Sequence, residues 1–148
     1  ALVFVGAPLA VDGELYNVAA AMNHGKILGL TTKTFLPNYG EFYEMRQFRE
    51  GPEKAREIEF DGEMVPFGPK ILFTAKQMEH LIVAAEICED VWSPVPPSIE
   101  AVREGATVIV NCSASDETIG KATYRESLIE GQSARLIRQQ VRTCTAMS

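Results

Sequence analysis

The chain has 148 residues, 46% of them apolar and 23% charged, enough to bury one domain's core without disulfides or metal. This composition excludes a disordered tail, a collagen-like repeat and a bare coiled coil. A net charge of -6 repels a phosphate backbone, and no apolar run approaches the roughly 20 residues that span a bilayer, so neither nucleic acid nor membrane is an expected partner. No charged-then-apolar leader opens the chain, and the cytoplasm is the expected compartment.

Ala1 to Val5 predicts a strand of the buried type, so the chain is expected to begin inside a fold. Asp12-Gly13 and Asn23-His24-Gly25-Lys26 predict two hairpins, because these residues tolerate the positive φ that tight turns need. The adjoining strands include Leu15 to Met22 and Ile27 to Leu30. Thr31 to Pro52 is then too long and too rich in aromatic, Gly, Pro and charged residues for a plain connector, which predicts a functional loop. Asp61-Gly62 predicts a third hairpin within Glu57 to Phe67. Ile71 to Thr74 and Leu81 to Ile87 predict two more strands, the second buried on both faces. Pro94, Pro96 and Pro97 interrupt the chain. Ser98 is the expected N-cap of a short helix from Ile99 to Glu104, Gly105 its end, and Ala106 to Val110 a further buried strand. After a polar turn at Ser113 to Thr118, Ala122, Ile129, Ser133 and Leu136 fall on one face of a helix ending near Gln140. The sum is one α/β domain of predominantly β character, with helices on the sheet.

The three cysteines, Cys88, Cys112 and Cys144, form no even framework and no C-x-x-C pair, which argues against a disulfide scaffold and a structural zinc site. Cys88 stands where an apolar strand gives way to Glu89-Asp90-Val91-Trp92, a strand end of the kind that presents reactive groups in α/β folds. It is either a nucleophile or a small buried hydrophobe. Cys112, flanked by Val110 and Asn111 on a buried strand, is expected to be inert, and Cys144 is given no role. A nucleophilic thiol needs a base or a cation beside it. His24 lies in a turn and His80 at the far end of Cys88's own strand, so a Cys-His pair is disfavoured. Lys33 remains, either as that cation or as an ordinary surface lysine. Serine-hydrolase, nucleotide phosphate-loop, dinucleotide-binding and zincin motifs are all missing.

Three separated blocks then stand out: Lys33-Thr34-Phe35-Leu36-Pro37-Asn38-Tyr39-Gly40-Glu41-Phe42-Tyr43-Glu44-Met45-Arg46, Glu86-Ile87-Cys88-Glu89-Asp90-Val91-Trp92-Ser93-Pro94, and Asn111-Cys112-Ser113-Ala114-Ser115. In this order they resemble the glutamine-hydrolysing domain of glutamine-dependent NAD synthetases, a branch of the nitrilase or carbon-nitrogen hydrolase superfamily, from about Val3 to Ile137. The resemblance implies an α-β-β-α sandwich, incomplete at its N-terminus, and a Glu-Lys-Cys triad. Cys88 matches the nucleophile and Lys33 the catalytic lysine, whose ammonium can favour thiolate and face a developing oxyanion. Glu89, Tyr39 and Ser115 match glutamine-recognition positions, and Glu44 a supporting acid near the lysine. The general-base Glu falls on a segment before Ala1. After Ile137, residues 138–148 are expected to depart from the family's continuation into another strand, and the synthetase domain, with its ATP and Mg, to be absent.

The implied activity is hydrolysis of L-glutamine through a cysteine thioester, with no cofactor or metal of its own, supplying ammonia to the synthetase domain of the parent chain. A homo-oligomer is expected by analogy. The alternatives are a stand-alone nitrilase-type amidase or carbamoylase and, with the base missing, a non-catalytic folded piece.

Overall fold

Residues at positive φ shape the first sheet. The computed structural model describes residues 1–114 and 119–136 and the backbone of 142–147. Asp12 and Gly13, at φ 53° and 82°, join strand β1 (Leu2–Val11) to β2 (Glu14–Asn23), and His24 and Gly25, at 50° and 77°, join β2 to β3 (Lys26–Thr32). Asp61 and Gly62 do the same between β4 (Arg56–Phe60) and β5 (Glu63–Gly68). All three predicted hairpins form, antiparallel throughout, and β5 then runs parallel to β3 to give the order β1-β2-β3-β5-β4.

The second sheet has the order β6-β7-β8-β9, from β6 (Leu72–Ala75), β7 (Met78–Ile87), β8 (Val108–Ser113) and β9 (Arg142–Met147). β6 and β7 pair antiparallel, whereas β7, β8 and β9 are parallel, so helices carry the crossovers: α1 (Pro97–Arg103) and α2 (Lys121–Arg135). The two sheets pack face to face through small side chains. Ala19 and Ala21 of β2, both fully buried, meet Val83, Ala85 and Ile87 of β7, and Phe4 sets its ring edge-on to Phe73 with centroids 5.5 Å apart. Ala84, Ile109, Ala101, Val102 and Leu136 form a further cluster between the second sheet's other face and the helices. The fold is the expected α/β arrangement of two sheets with helices outside. Among the described residues both α-helices lie on the second sheet, and none of them is long and apolar enough to cross a membrane.

β1 is an edge strand of its sheet, and Val3 and Val5, on the face turned away from the second sheet, are 47% and 44% exposed. Four details depart from the sequence reading. Ser98 is not the cap of α1; Pro96 takes that place, and Ser98 is turned inward within the first turn, where Pro97 needs no N–H partner. The strand placed at Ala106 starts at Val108, because Ala106 still bonds back to Ala101 at the helix end. In α2 it is Arg125, Gln132 and Leu136 that are buried, while Ala122 faces solvent, so a polar stripe lies inward; the predicted end near Gln140 lies outside the described residues. Finally, the segment 138–148, where no further strand is expected, contains β9, which pairs with β8 from Val108↔Arg142 to Ser113↔Met147.

Candidate active site

The period of two along each strand decides which side chains meet between the sheets. Along β2 the inward row runs Ala21, Ala19, Asn17; the alanines allow close packing and Asn17 lines the cleft. Lys33 follows β3 and donates its backbone N–H to the Asn17 carbonyl at 2.9 Å, which places it in the same inward row. Along β7 the inward row is Val83, Ala85, Ile87, and along β8 it is Val110 and Cys112, with Ile87 paired to Cys112. The two rows end at one cleft of about 490 Å³, lined by Lys33, Glu44, Asn17, Phe48, Cys88, Cys112 and Ser113 together with Phe4 to Pro8 of β1.

Cys88 ends the strand in the left-handed region, at φ 45°, and opens a single 3-10 turn, Cys88–Trp92. A non-glycine residue there is strained, and strain of this kind clusters at functional sites. The sharp exit carries its side chain into the cleft instead of continuing the strand's alternation. Lys33 is only 1% exposed, so it is no surface lysine, and its Nζ lies 2.5 Å from Glu44 Oε2. Asn17 Nδ2 reaches the other Glu44 oxygen at 3.5 Å. The long loop brings Glu44 in on a short 3-10 turn, Glu44–Arg46, and returns past Gly51, whose N–H donates to the Lys33 carbonyl. A Cβ at Gly51 would overlap Thr32 Oγ1, so only glycine lets the loop close over the end of β3.

The other predicted positions divide. Tyr39 donates its phenol O–H to Glu89 Oε1 at 2.6 Å, and that bond, reinforced by the carboxylate's charge, pushes the Tyr39 hydroxyl up to about 12. This pair stands beside Cys88 at the protein surface, outside the lining of the cleft, with Tyr39 59% exposed. Ser115 lies outside the described residues. His24 and His80 sit in a turn and on the exposed start of β7, away from the cleft. Cys112, expected to be inert, shares the cleft with Cys88, and burial raises its thiol pKa.

Three polar residues near Cys88 were not singled out by sequence: Asn17, Glu86 and Asp90. The two carboxylates are 2% and 1% exposed and lie two residues either side of the thiol. An acid at the end of an apolar strand and another inside the following turn are the signals that could have found them. Glu86 points to the opposite face from Ile87, accepting from Ser98 N–H at 3.3 Å and Asn111 Nδ2 at 3.4 Å, while Gln132 Nε2 donates to Ser98 Oγ. Gln132, in the inward polar stripe of α2, is thus held by this network.

Burial pushes the Glu86 carboxyl up to about 7, from an ordinary value of 4.5. The folded chain therefore keeps a proton that the unfolded chain releases, and stability falls as pH rises from 4.5 to 7. Glu86→Gln, a neutral mimic of the protonated form, is expected to raise stability at pH 8 by about 1–3 kcal/mol, with the gain fading toward pH 4.5. Urea unfolding at both pH values measures it; an equal effect at each would show that ionisation is not the cause.

No family model matches the chain. It is similar to the glutamine-dependent NAD(+) synthetase of Mycobacterium leprae, 43% identical over 133 residues and 90% of this chain. The synthetases of Aquifex aeolicus and Homo sapiens are 34% and 30% identical over 88% and 84% of it. The chain spans about a fifth of the length of these relatives. Among solved structures, a glutamine-dependent NAD(+) synthetase from Cytophaga hutchinsonii matches with a TM-score of 0.82 and 28% identity, across 99% of this chain and 22% of that one. A carbon-nitrogen hydrolase from Helicobacter pylori G27 matches at 0.61 and 18% identity across 99% of this chain and 45% of that one, which is a likeness of fold.

Proposed function

The chain belongs, as a stretch of about a fifth of their length, to the glutamine-dependent NAD(+) synthetases and carries the carbon-nitrogen hydrolase fold, and on that premise we propose that it forms part of their amide-hydrolysing site. The observation that carries this is the cleft itself, where a buried lysine paired with Glu44 and a thiol on a strained strand end face one space. Cys88 Sγ attacks the side-chain amide carbon of glutamine, the C–N bond breaks, and the nitrogen leaves as ammonia once protonated. Water then attacks the thioester carbonyl, releasing glutamate and restoring the thiol. Lys33, fixed and shielded from solvent, faces the oxygen that gains charge in both tetrahedral intermediates, where a preorganised cation counts most. Glu44 and Asn17 hold its ammonium in place. The acid-base group that takes the thiol proton and passes it to ammonia is the glutamate of the triad that the resemblance implies. The hydrolytic step uses no cofactor; ATP and Mg serve the synthetase part, to which the ammonia passes.

Glu89 lies next to the nucleophile and keeps one oxygen free of Tyr39, ready to pair with the α-ammonium of glutamine. A thiol-reactive glutamine analogue is therefore expected to label Cys88 in preference to simple aliphatic haloamides. Glu89→Gln should remove roughly tenfold or more of that preference, as befits a charge-assisted contact of about 1.5–3 kcal/mol, while iodoacetamide labelling is unchanged. Equal labelling by both reagents in the unaltered protein would favour an amidase of broad specificity instead.

A further inference from the structure

The lysine and the thiol belong to different sheets, and most of what joins those sheets is nondirectional. The Ala19, Ala85 and Ile87 cluster and the Ala21, Phe73 and Val83 cluster set a spacing between layers, yet apolar contact of this kind fixes no atom-to-atom register. One group beside the cleft is directional. Asp90 accepts the N–H of Thr34 at 3.1 Å and of Phe35 at 2.8 Å through Oδ1, and the N–H of Ile87 at 2.8 Å through Oδ2. Thr34 and Phe35 directly follow Lys33, and Ile87 directly precedes Cys88. The backbone N–H and the hydroxyl of Ser93 both bond to the Asp90 carbonyl, closing the turn that carries it.

Burial raises the Asp90 carboxyl to about 6, against the pull of its three N–H donors and of the Lys33 charge, so burying it carries a cost. What the three directed bonds supply is a fixed relation between the two backbone segments they join. We propose that Asp90 is a positioning residue: by tying the backbone after Lys33 to the backbone before Cys88, it sets the separation of ammonium and sulfur across the two sheets. The proposal rests on the reading of Cys88 and Lys33 given above, and it adds a residue that touches neither substrate nor thiol.

Alkylation of Cys88 by iodoacetamide tests it in this chain, with Cys112 in the same sample reporting on the integrity of the cleft. Lys33→Met, which keeps the stem and removes the charge, is expected to slow Cys88 about tenfold or more. Asp90→Ala is expected to slow it comparably, the double variant no further than the slower single one, and Cys112 to be unaffected. Asp90→Asn, which keeps one acceptor oxygen, should fall between. Multiplying losses in the double variant, or an unchanged Cys88 rate in a folded Asp90→Ala protein, would overturn the proposal. If Asp90→Ala instead accelerates Cys112 by loosening the cleft, the same criterion is applied to Asp90→Asn, and additivity with Lys33→Met there is equally fatal. An indifferent Lys33→Met rate sinks the reading of the site itself, which separates the two failures.

Discussion

Cys88→Ala is expected to abolish glutamine-dependent NAD formation in a full-length synthetase containing this sequence, by on the order of 10⁴-fold or more, because nothing else can form the acyl intermediate. Cys112, in the same cleft, does not replace it: it stays within the regular alternation of β8, paired with Ile87, and burial raises its thiol pKa. Ammonia-dependent formation should persist, since exogenous ammonia bypasses this site. Parallel assays with the two nitrogen sources measure the contrast, and equal loss of both would mean that Cys88 supports structure alone.

Lys33→Met is expected to lower kcat for glutamine hydrolysis by about 10²- to 10³-fold with little change in KM, the signature of a group that acts on charge developed in the transition state. The substitution keeps most of the side chain's volume, and Glu44, whose side chain is 25% exposed, can be rehydrated when its partner is lost. A rise in KM with kcat intact would instead make Lys33 a ground-state binding residue.

How much of this was legible in the sequence follows from the range of each signal. The three hairpins were readable because Asp-Gly and His-Gly turns are local, and the parallel strands because apolar runs buried on both faces lack alternation. Ser98 misled because a serine before an apolar run is equally suited to cap a helix or to bond inward, and only the neighbouring Pro96-Pro97 and Glu86 decide. At the site, Cys88 and Lys33 were recognised as chemical types in resembling blocks, yet the burial of Lys33 and its pairing with Glu44 depend on how the loop returns over β3. Asp90 was in plain view within the second block, but its partners lie in the first, and no spacing rule joins them.

Division of the site between two sheets also orders its assembly in time. The bonds from Phe35 and Thr34 to Asp90 close segments of 55 and 56 residues, whereas every hairpin turn is local. Segments of that length pay their closure entropy late, after the short-range turns have formed. A chain with both sheets built but not yet mated would show native secondary structure and a solvated lysine, and would be chemically silent. The lysine and the thiol are thus expected to come together late in folding, after the local hairpins.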